Sequence, residues 1–340
     1  MASTHVTTTD QLPDALGKYY VAKTLYEASH YLVWYLFAQK APYMEGNGDK
    51  VKWRRILRLD STPKRLEQAV TNTGQRMDKV DLLMTVDWYG DHVLYSDRVI
   101  FENRDPVLKQ ATKVLGDQAG EMLDKVLRNV YVAGTNVLYA ADDAGTIGAA
   151  RSNVAGRINN RILDKAIRNL RMNRAKPWKK SIAAGPGQGT VPVRDAWPAI
   201  TDAETLYDLE LYVAGYRSVH EYGQFNKLHE SEQGCYKNIR FFLTDNGISW
   251  NTGSTTIPTG IDYTTSNVNV HATVIFGQDA IGAVRLGGKD TPVEFIAHKP
   301  GSAGSADPLN QRGSAGWKAP QAGKILDQTQ IIRVEHAVSA

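Results

Sequence analysis

Between Leu108 and Val130 apolar residues return at spacings of three and four: Leu108, Ala111, Leu115, Ala119, Met122, Val126 and Val130. That spacing puts them on one stripe of an α-helix. Lys109, Lys113, Asp117, Glu121, Asp124 and Arg128 take much of the remaining surface. Asp105-Pro106 suits the start. An Asp carboxylate accepts from free helix N–H groups, and Pro at the first helical position forfeits no hydrogen bond. The pattern predicts one helix from Asp105 to Ala141, roughly 50 Å long at 1.5 Å per residue and about three times the average length. Gly116 and Gly120 each cost about 1 kcal/mol against Ala inside it, so they read as close-packing or bending positions. Such a helix needs an equally long surface along its stripe, which points to an elongated subunit.

The patterns before it predict an arm and a hairpin. Residues 1–45 open with loop chemistry at Thr7-Thr8-Thr9-Asp10 and Leu12-Pro13. Lys18 to Gln39 is expected to be helical, packing through Tyr20, Leu25 and Leu32. Tyr31, Trp34, Tyr35 and Phe37 make it aromatic all round, which suits burial against its own core or a neighbour. Gly46-Asn47-Gly48-Asp49 is a turn. Val51, Trp53, Ile56, Leu57 and Leu59, interleaved with Lys50, Lys52, Arg54, Arg55 and Arg58, predict a strand with much charge outside. Val80, Leu82, Met84, Val86 and Trp88 alternate strictly, the mark of a half-buried strand, and His92 to Asp97 extends it past Gly90. The polar stretch between is too long for an ordinary hairpin loop. It is either a solvated flap or a segment that grips a partner.

After the long helix, Asp142 to Gly148 breaks the chain, and Ala155 to Ala175 is expected as a second helix. Ile158, Ile162, Ala166 and Leu170 form its apolar stripe, and Arg157, Arg161, Lys165 and Arg168 line a separate basic face. The run from Ala183 to Gly189 reads as a flexible loop. Asp202 to Ala214 is a short amphipathic helix capped by Thr201 or Asp202. Strands are expected at Ile239 to Leu243, Val268 to Phe276, Val293 to Ile296 and Ile325 to Glu335, with a surface loop from Ser249 to Asn267.

Charge sharpens this picture. The net charge is only +4, but residues 151–180 hold ten Lys or Arg against one acid, Asp164. Such asymmetry suits a polyanionic partner, a solvated face, or an acidic neighbour. No base-reading motif accompanies it, so contact with nucleic acid would be non-specific. Cys235 is the single cysteine, which excludes intrachain disulfides and a Cys-based zinc site. The longest apolar run, Tyr31 to Ala38, is far below the ~20 residues that span a bilayer, and the N-terminus lacks a signal pattern. The chain reads as soluble, made inside the cell and without membrane contact.

Catalytic signatures fail one by one. Gly287-Gly288-Lys289-Asp290 lacks the hydroxyl residue and the earlier Gly of a phosphate loop. Gly185-Pro186-Gly187-Gln188-Gly189 lacks the strand, helix and acid of a dinucleotide site. The eight histidines are scattered, and none pair at metal-ligand spacing. His220-Glu221 has no following ligand His, and no Gly-x-Ser-x-Gly elbow occurs. The expectation is therefore no enzyme, no metal and no cofactor. A nucleic-acid hydrolase built on the basic helix has no carboxylate cluster behind it.

The end of the chain carries a resemblance. Ala306-Asp307-Pro308-Leu309-Asn310-Gln311-Arg312-Gly313-Ser314-Ala315-Gly316-Trp317-Lys318 precedes Ile325-Leu326 and Ile331-Ile332-Arg333-Val334-Glu335. This resembles the closing segment of tailed-bacteriophage major capsid proteins of the phage N-four type. Asp87-Trp88-Tyr89-Gly90 with Ser96-Asp97, Tyr212 to His220, and Glu232 to Phe241 are similar to further family segments. Glu221 stands where the family often has Pro. The similarity covers roughly residues 45 to 338, and the C-terminal block is its specific part.

The resemblance implies an α+β chain with the Hong Kong 97 phage capsid fold. It implies an N-terminal arm (1–45), an extended two-stranded loop (46–98), a peripheral domain with a long spine helix (99–150), an axial domain (151–310), and a C-terminal strand returning to the core (311–340). It implies pentamers and hexamers closing into an icosahedral virion shell around double-stranded DNA, assembled in the host cytoplasm. A separate scaffolding protein, a portal and decoration proteins are expected partners. Trp53, Arg54, Arg55, Lys64, Arg65 and Arg76 are the expected intersubunit contacts. Arg157, Arg161, Lys165 and Arg168 are expected to face the shell interior or an acidic neighbour. A nanocompartment shell of the same fold, filled with enzyme cargo rather than DNA, is the alternative.

Overall fold

The protein, seen in a computed structural model, is described at residues 32–43, 48–66, 68, 71, 74–102, 107–178, 195–221, 231–286, 294–298, 300–301 and 308–340. Its largest element is a nine-stranded mixed sheet. From one edge the order is Ile147–Gly148, Val137–Ala140, Ile331–Ala337, Val270–Phe276, Trp197–Thr201, Ile239–Leu243, Glu232–Tyr236 and Arg217–Ser218, with Ser249–Trp250 beside Val270–Phe276. Every residue of the two strands Val270–Phe276 and Ile331–Ala337 is buried. Such strands read as unbroken apolar runs because both faces are covered.

Neighbouring residues on these strands serve opposite cores, since side chains alternate across a sheet. Ala199, Phe241, Ile275 and Ile332 face a core filled by Ile158, Ile162, Leu163, Ala166 and Leu170. Those five line the helix Asn160–Met172 and its approach. Ile200, Phe242, Val274, Phe276 and Ile331 face the other core, filled by Trp34, Phe37, Leu127 and Tyr131. Phe37 meets Phe242 and Phe276 edge-on, with centroids 4.7 and 5.5 Å apart.

The long helix is Val107–Val132. Near its N-terminal end Leu115, Ala119 and Leu123 pack on Phe295, Ala315, Trp317 and Ala319. These lie on a three-stranded sheet of Glu294–His298, Arg312–Gln321 and Asp87–Ser96. One helix thus joins two sheets.

Several expectations change. Asp105 and Pro106 lie outside the described residues. The helix ends at Val132 rather than Ala141, because Gly134-Thr135-Asn136 turns the chain and Val137–Ala140 becomes a strand parallel to Ile331–Ala337. Thr135 N–H donates to Gln328 at 3.1 Å, which closes that turn. The buried line runs through Thr112, Leu115, Ala119, Leu123, Leu127 and Tyr131, while Met122, Val126 and Val130 flank it half-buried. The buried Gly116 and Gly120 sit on this line, as close packing requires. The described part of the arm holds one helical turn, Val33–Leu36, and then a strand, Gln39–Ala41. Pro42 follows and disfavours helix at Ala41. The second helix starts at Asn160, capped by Asn159, which leaves Arg157 in the preceding loop. The short amphipathic helix is Ala203–Tyr212, and Asp202 caps it by accepting from Thr205 at 3.0 Å.

Asp124 was expected on the polar side and is instead fully buried. Its carboxylate accepts from the Trp34 N–H at 2.9 Å and from Asn246 Nδ2 at 3.1 Å. It therefore clasps the arm and a sheet loop to the long helix. Burial pushes its pKa up to about 7, against the opposing pull of Asn246, the Trp34 and Tyr35 N–H groups and Arg128. A folded-state pKa above the unfolded one means that stability is fully present below about pH 4 and is lost as pH rises toward 7. Asp124→Asn is expected to remove this slope. Chemical denaturation between pH 4.5 and 8 checks it, and an unchanged slope would assign the pH dependence elsewhere.

Candidate functional site

Lys50–Ile56 and Lys79–Thr85 pair antiparallel, with Val51 opposite Met84 and Trp53 opposite Leu82. The root of this hairpin is fastened to the body. Val51, Met84 and Val86 are buried with Val284 and Ala322. Trp53 lies so close over Gly282 that a Cβ there would sit 2.9 Å from the indole. Arg55 pairs with Asp327 at 2.8 Å and donates to the Leu326 carbonyl at 3.3 Å. Lys324 donates to the Leu83 carbonyl at 2.6 Å. Lys52 and Arg54 both hold Asp81 across the hairpin, at 2.7 and 3.0 Å. Their donors keep its carboxyl below the usual range.

Beyond the root the hairpin is uncovered. Ile56, Leu59, Leu66, Met77 and Leu83 are each more than half exposed. Among the described residues Arg76 pairs with Asp78, at 3.3 Å, and its side chain is 91% exposed. Lys64 and Arg65 lie exposed in the segment between the strands, which has no regular structure where described. A cleft of about 650 Å³ opens between hairpin and body, lined by Ile56, Leu57, Arg58, Asn173, Lys176 and Asp327 among others. A two-stranded ribbon is marginal alone, and clustered exposed apolar side chains mark contact surfaces.

The basic segment divides in two. Arg157 is an internal staple: it pairs with Asp143 at 2.8 Å and donates to Ser339 Oγ at 2.8 Å and the Gly260 carbonyl at 2.6 Å. Lys165 is half-buried and donates to the Gly145 carbonyl at 2.9 Å. Arg161 is exposed and reaches the Ala144 carbonyl at 3.3 Å, and Arg168 is exposed. Among the described residues no three His, Cys, Asp or Glu side chains are placed to hold a metal ion. Cys235 is free and half-buried.

No family model matches the chain, and no curated protein matches it in sequence. Solved structures do. The capsid of Ralstonia phage GP4 aligns at TM-score 0.65 and 13% identity over 89% of this chain and 88% of that one. The capsid of cyanophage P-SCSP1u aligns at 0.56 and 14% identity over 88% and 90%. The acid-stable capsid of Helicobacter pylori bacteriophage KHP30 aligns at 0.58 and 11% identity over 86% of each chain. The fold is the phage capsid fold of the Hong Kong 97 type. The hairpin and the helix Val107–Val132 are the elements that the sequence led us to expect as extended loop and spine helix.

Sequence reasoning placed the hairpin but not its anchors. Arg55 and its partner Asp327 are far apart in the chain, and no local pattern links them. Trp53 and Arg55, expected to reach a neighbour, are engaged at the root of their own chain. The signal that could have found the uncovered surface was present. Leu66 and Met77 sit among polar residues with no periodicity, so no local element accounts for them.

Trp53→Ala removes the largest side chain at the root, and loss of a large buried aromatic costs about 3 kcal/mol or more. For the half-buried Trp53 a cost of about 2 kcal/mol is expected, with faster hydrogen exchange across 50–56 and 79–85. Arg76→Ala is expected to change neither. Thermal unfolding and exchange mass spectrometry check both, and equal effects would refute the anchoring role.

Proposed function

We propose that this chain is the major capsid protein of a tailed phage. Copies of it associate as pentamers and hexamers, which close into an icosahedral virion shell around double-stranded DNA. The observation that carries this reading is the hairpin: a fixed root on a capsid fold, with five large apolar side chains left uncovered beyond it. Such a ribbon is completed by the body of a second copy, and repetition of one such contact around a ring gives closed assemblies. Arg54, Lys64, Arg65 and Arg76 then supply polar contacts at the rim of that interface, while Trp53 and Arg55 set the angle at which the ribbon leaves the body.

The role is structural, with no reaction and no cofactor assigned to it. Among the described residues no helix is long and apolar enough to cross a membrane. The division into arm (1–45), extended loop (46–98), peripheral domain (99–150), axial domain (151–310) and C-terminal strand (311–340) belongs to this proposal. Val137–Ala140, within the proposed peripheral domain, is a strand of the nine-stranded sheet. A separate scaffolding protein, a portal and decoration proteins are its further partners. The likeness to phage capsids favours a shell filled with DNA over an enzyme-filled nanocompartment.

Electron microscopy of the purified full chain, alone and co-expressed with a scaffolding protein from the same source, tests the reading. Icosahedral shells with five- and six-fold capsomers are expected. Leu66→Asp with Met77→Asp is expected to abolish them while leaving the monomer folded by circular dichroism. Monomers under both conditions would refute the shell role, and shells carrying protein cargo instead of DNA would select the nanocompartment.

A further inference from the structure

A line of cations runs along the helix Asn160–Met172 and past its end. Arg161, Arg168, Arg171, Arg174 and Lys176 are all exposed. It differs from the face that spacing alone predicts. Arg157 and Lys165 drop out because internal oxygens hold them half-buried, Arg161 stays exposed although it reaches the Ala144 carbonyl at 3.3 Å, and Arg171, Arg174 and Lys176 join beyond the expected set. The helix has one acid, Asp164, and Lys237 holds both of its oxygens at 2.6 and 2.7 Å. Arg171 donates to the side chain of Asn238 at 3.1 Å. Among the described residues none of Arg168, Arg171, Arg174 and Lys176 forms an ion pair. At the far end Arg171, Arg174 and Lys176 border a cleft of about 560 Å³, with Pro177, Trp197 and Gln278 as further lining.

Two ordinary explanations leave part of this line over. Basic residues in a last helical turn favour the dipole, which accounts for Arg171 but not for Arg161 or Arg168. An acidic protein partner needs apolar anchors beside the charges, and the ridge offers only Met172. Four of its five cations are arginines, whose planar forks suit phosphate oxygens. The helical part is about 20 Å long, and each strand of duplex DNA carries one phosphate per about 3.4 Å of axis. The ridge can therefore engage several successive phosphates without reading any base.

We propose that Arg161, Arg168, Arg171, Arg174 and Lys176 form a binding ridge for the sugar–phosphate backbone of double-stranded DNA. Its placement on the inner face of a closed shell rests on the capsid reading above, whereas its affinity for DNA does not.

The test titrates the full-length protein with a random-sequence 30-base-pair duplex from 50 to 200 mM NaCl, followed by anisotropy. If five phosphates are neutralised, affinity falls about 500-fold over that range. For Arg168→Gln/Arg171→Gln/Arg174→Gln, with two cations left, the fall shrinks to about 12-fold. The matching triple Lys variant is expected to restore most of the salt dependence, which separates charge from folding. An unchanged salt dependence in the folded Gln variant would overturn the ridge. Polyglutamate competing as tightly as unlabelled duplex would overturn the DNA assignment in favour of an acidic protein segment. Salt-dependent binding lost in the Gln variant, by a wild type that never forms shells, would support the ridge and refute the shell.

Discussion

Two neighbouring strands, Val270–Phe276 and Ile331–Ala337, have no exposed residue, and this constrains everything around them. A strand buried on both faces needs two covers. The helix Asn160–Met172 supplies one. The other is assembled from the arm, through Trp34 and Phe37, and from the C-terminal half of the spine helix, through Leu127 and Tyr131. The two ends of the described chain therefore meet in one core. The last strand pairs with Val270–Phe276 over seven residues, so the sheet is not complete until the C-terminus is in place.

The same sheet buries charge, and geometry makes that tolerable. Glu335 is fully buried and takes both forks of Arg151, at 2.6 and 2.8 Å, together with Arg333 at 2.7 Å. Arg151 stacks over Trp250, 3.7 Å from the ring centroid. Glu232 is likewise buried and held by Arg240 at 2.8 Å. Buried carboxylates need such partners, because losing one strands the other charge. Of these pairs, Arg151–Glu335 ties a turn to a strand distant in sequence, Arg240–Glu232 joins two adjacent strands, and Arg333–Glu335 lies within one strand. Asp124 differs: neutral donors hold it, and burial, which those donors only partly offset, pushes its pKa up.

A body satisfied on both sheet faces leaves its unfinished surfaces elsewhere. The hairpin is fixed at its root and uncovered beyond it, and the basic ridge has cations without ion-pair partners among the described residues. A closed shell needs surfaces of both kinds, one for copies of the chain and one for its contents. The helix Val107–Val132 joins two sheets of that body, packing on the sheet that holds Asp87–Ser96 and on the nine-stranded sheet.

Periodic segments were legible in the sequence. The spine helix, the hairpin pairing of Lys50–Ile56 with Lys79–Thr85, and the stripe of Ile158, Ile162, Ala166 and Leu170 all follow from local spacing, which is what amphipathic burial imposes. The strand Arg312–Gln321 was not, because apart from Trp317 its buried positions are Gly313, Ala315, Ala319, Pro320 and Gln321, and small or polar residues leave no hydrophobic signal. The resemblance covered these residues but implied only one C-terminal strand over 311–340, where the structure has Arg312–Gln321, Gly323–Ile325 and Ile331–Ala337. Trp197–Thr201 was hidden by Pro198, which argues against a central strand. The site divides the same way. The excess of Lys and Arg in 151–180 belongs to the sequence, but which cations stay exposed does not. Arg157 is spent on Asp143 and Ser339, and Lys165 on the Gly145 carbonyl, while Arg174 and Lys176 are left outside. Sequence thus determined where charge and apolar surface are made, because both are properties of residues. Tertiary structure alone decided which of them are used up internally, because that depends on partners brought near only when distant segments pack.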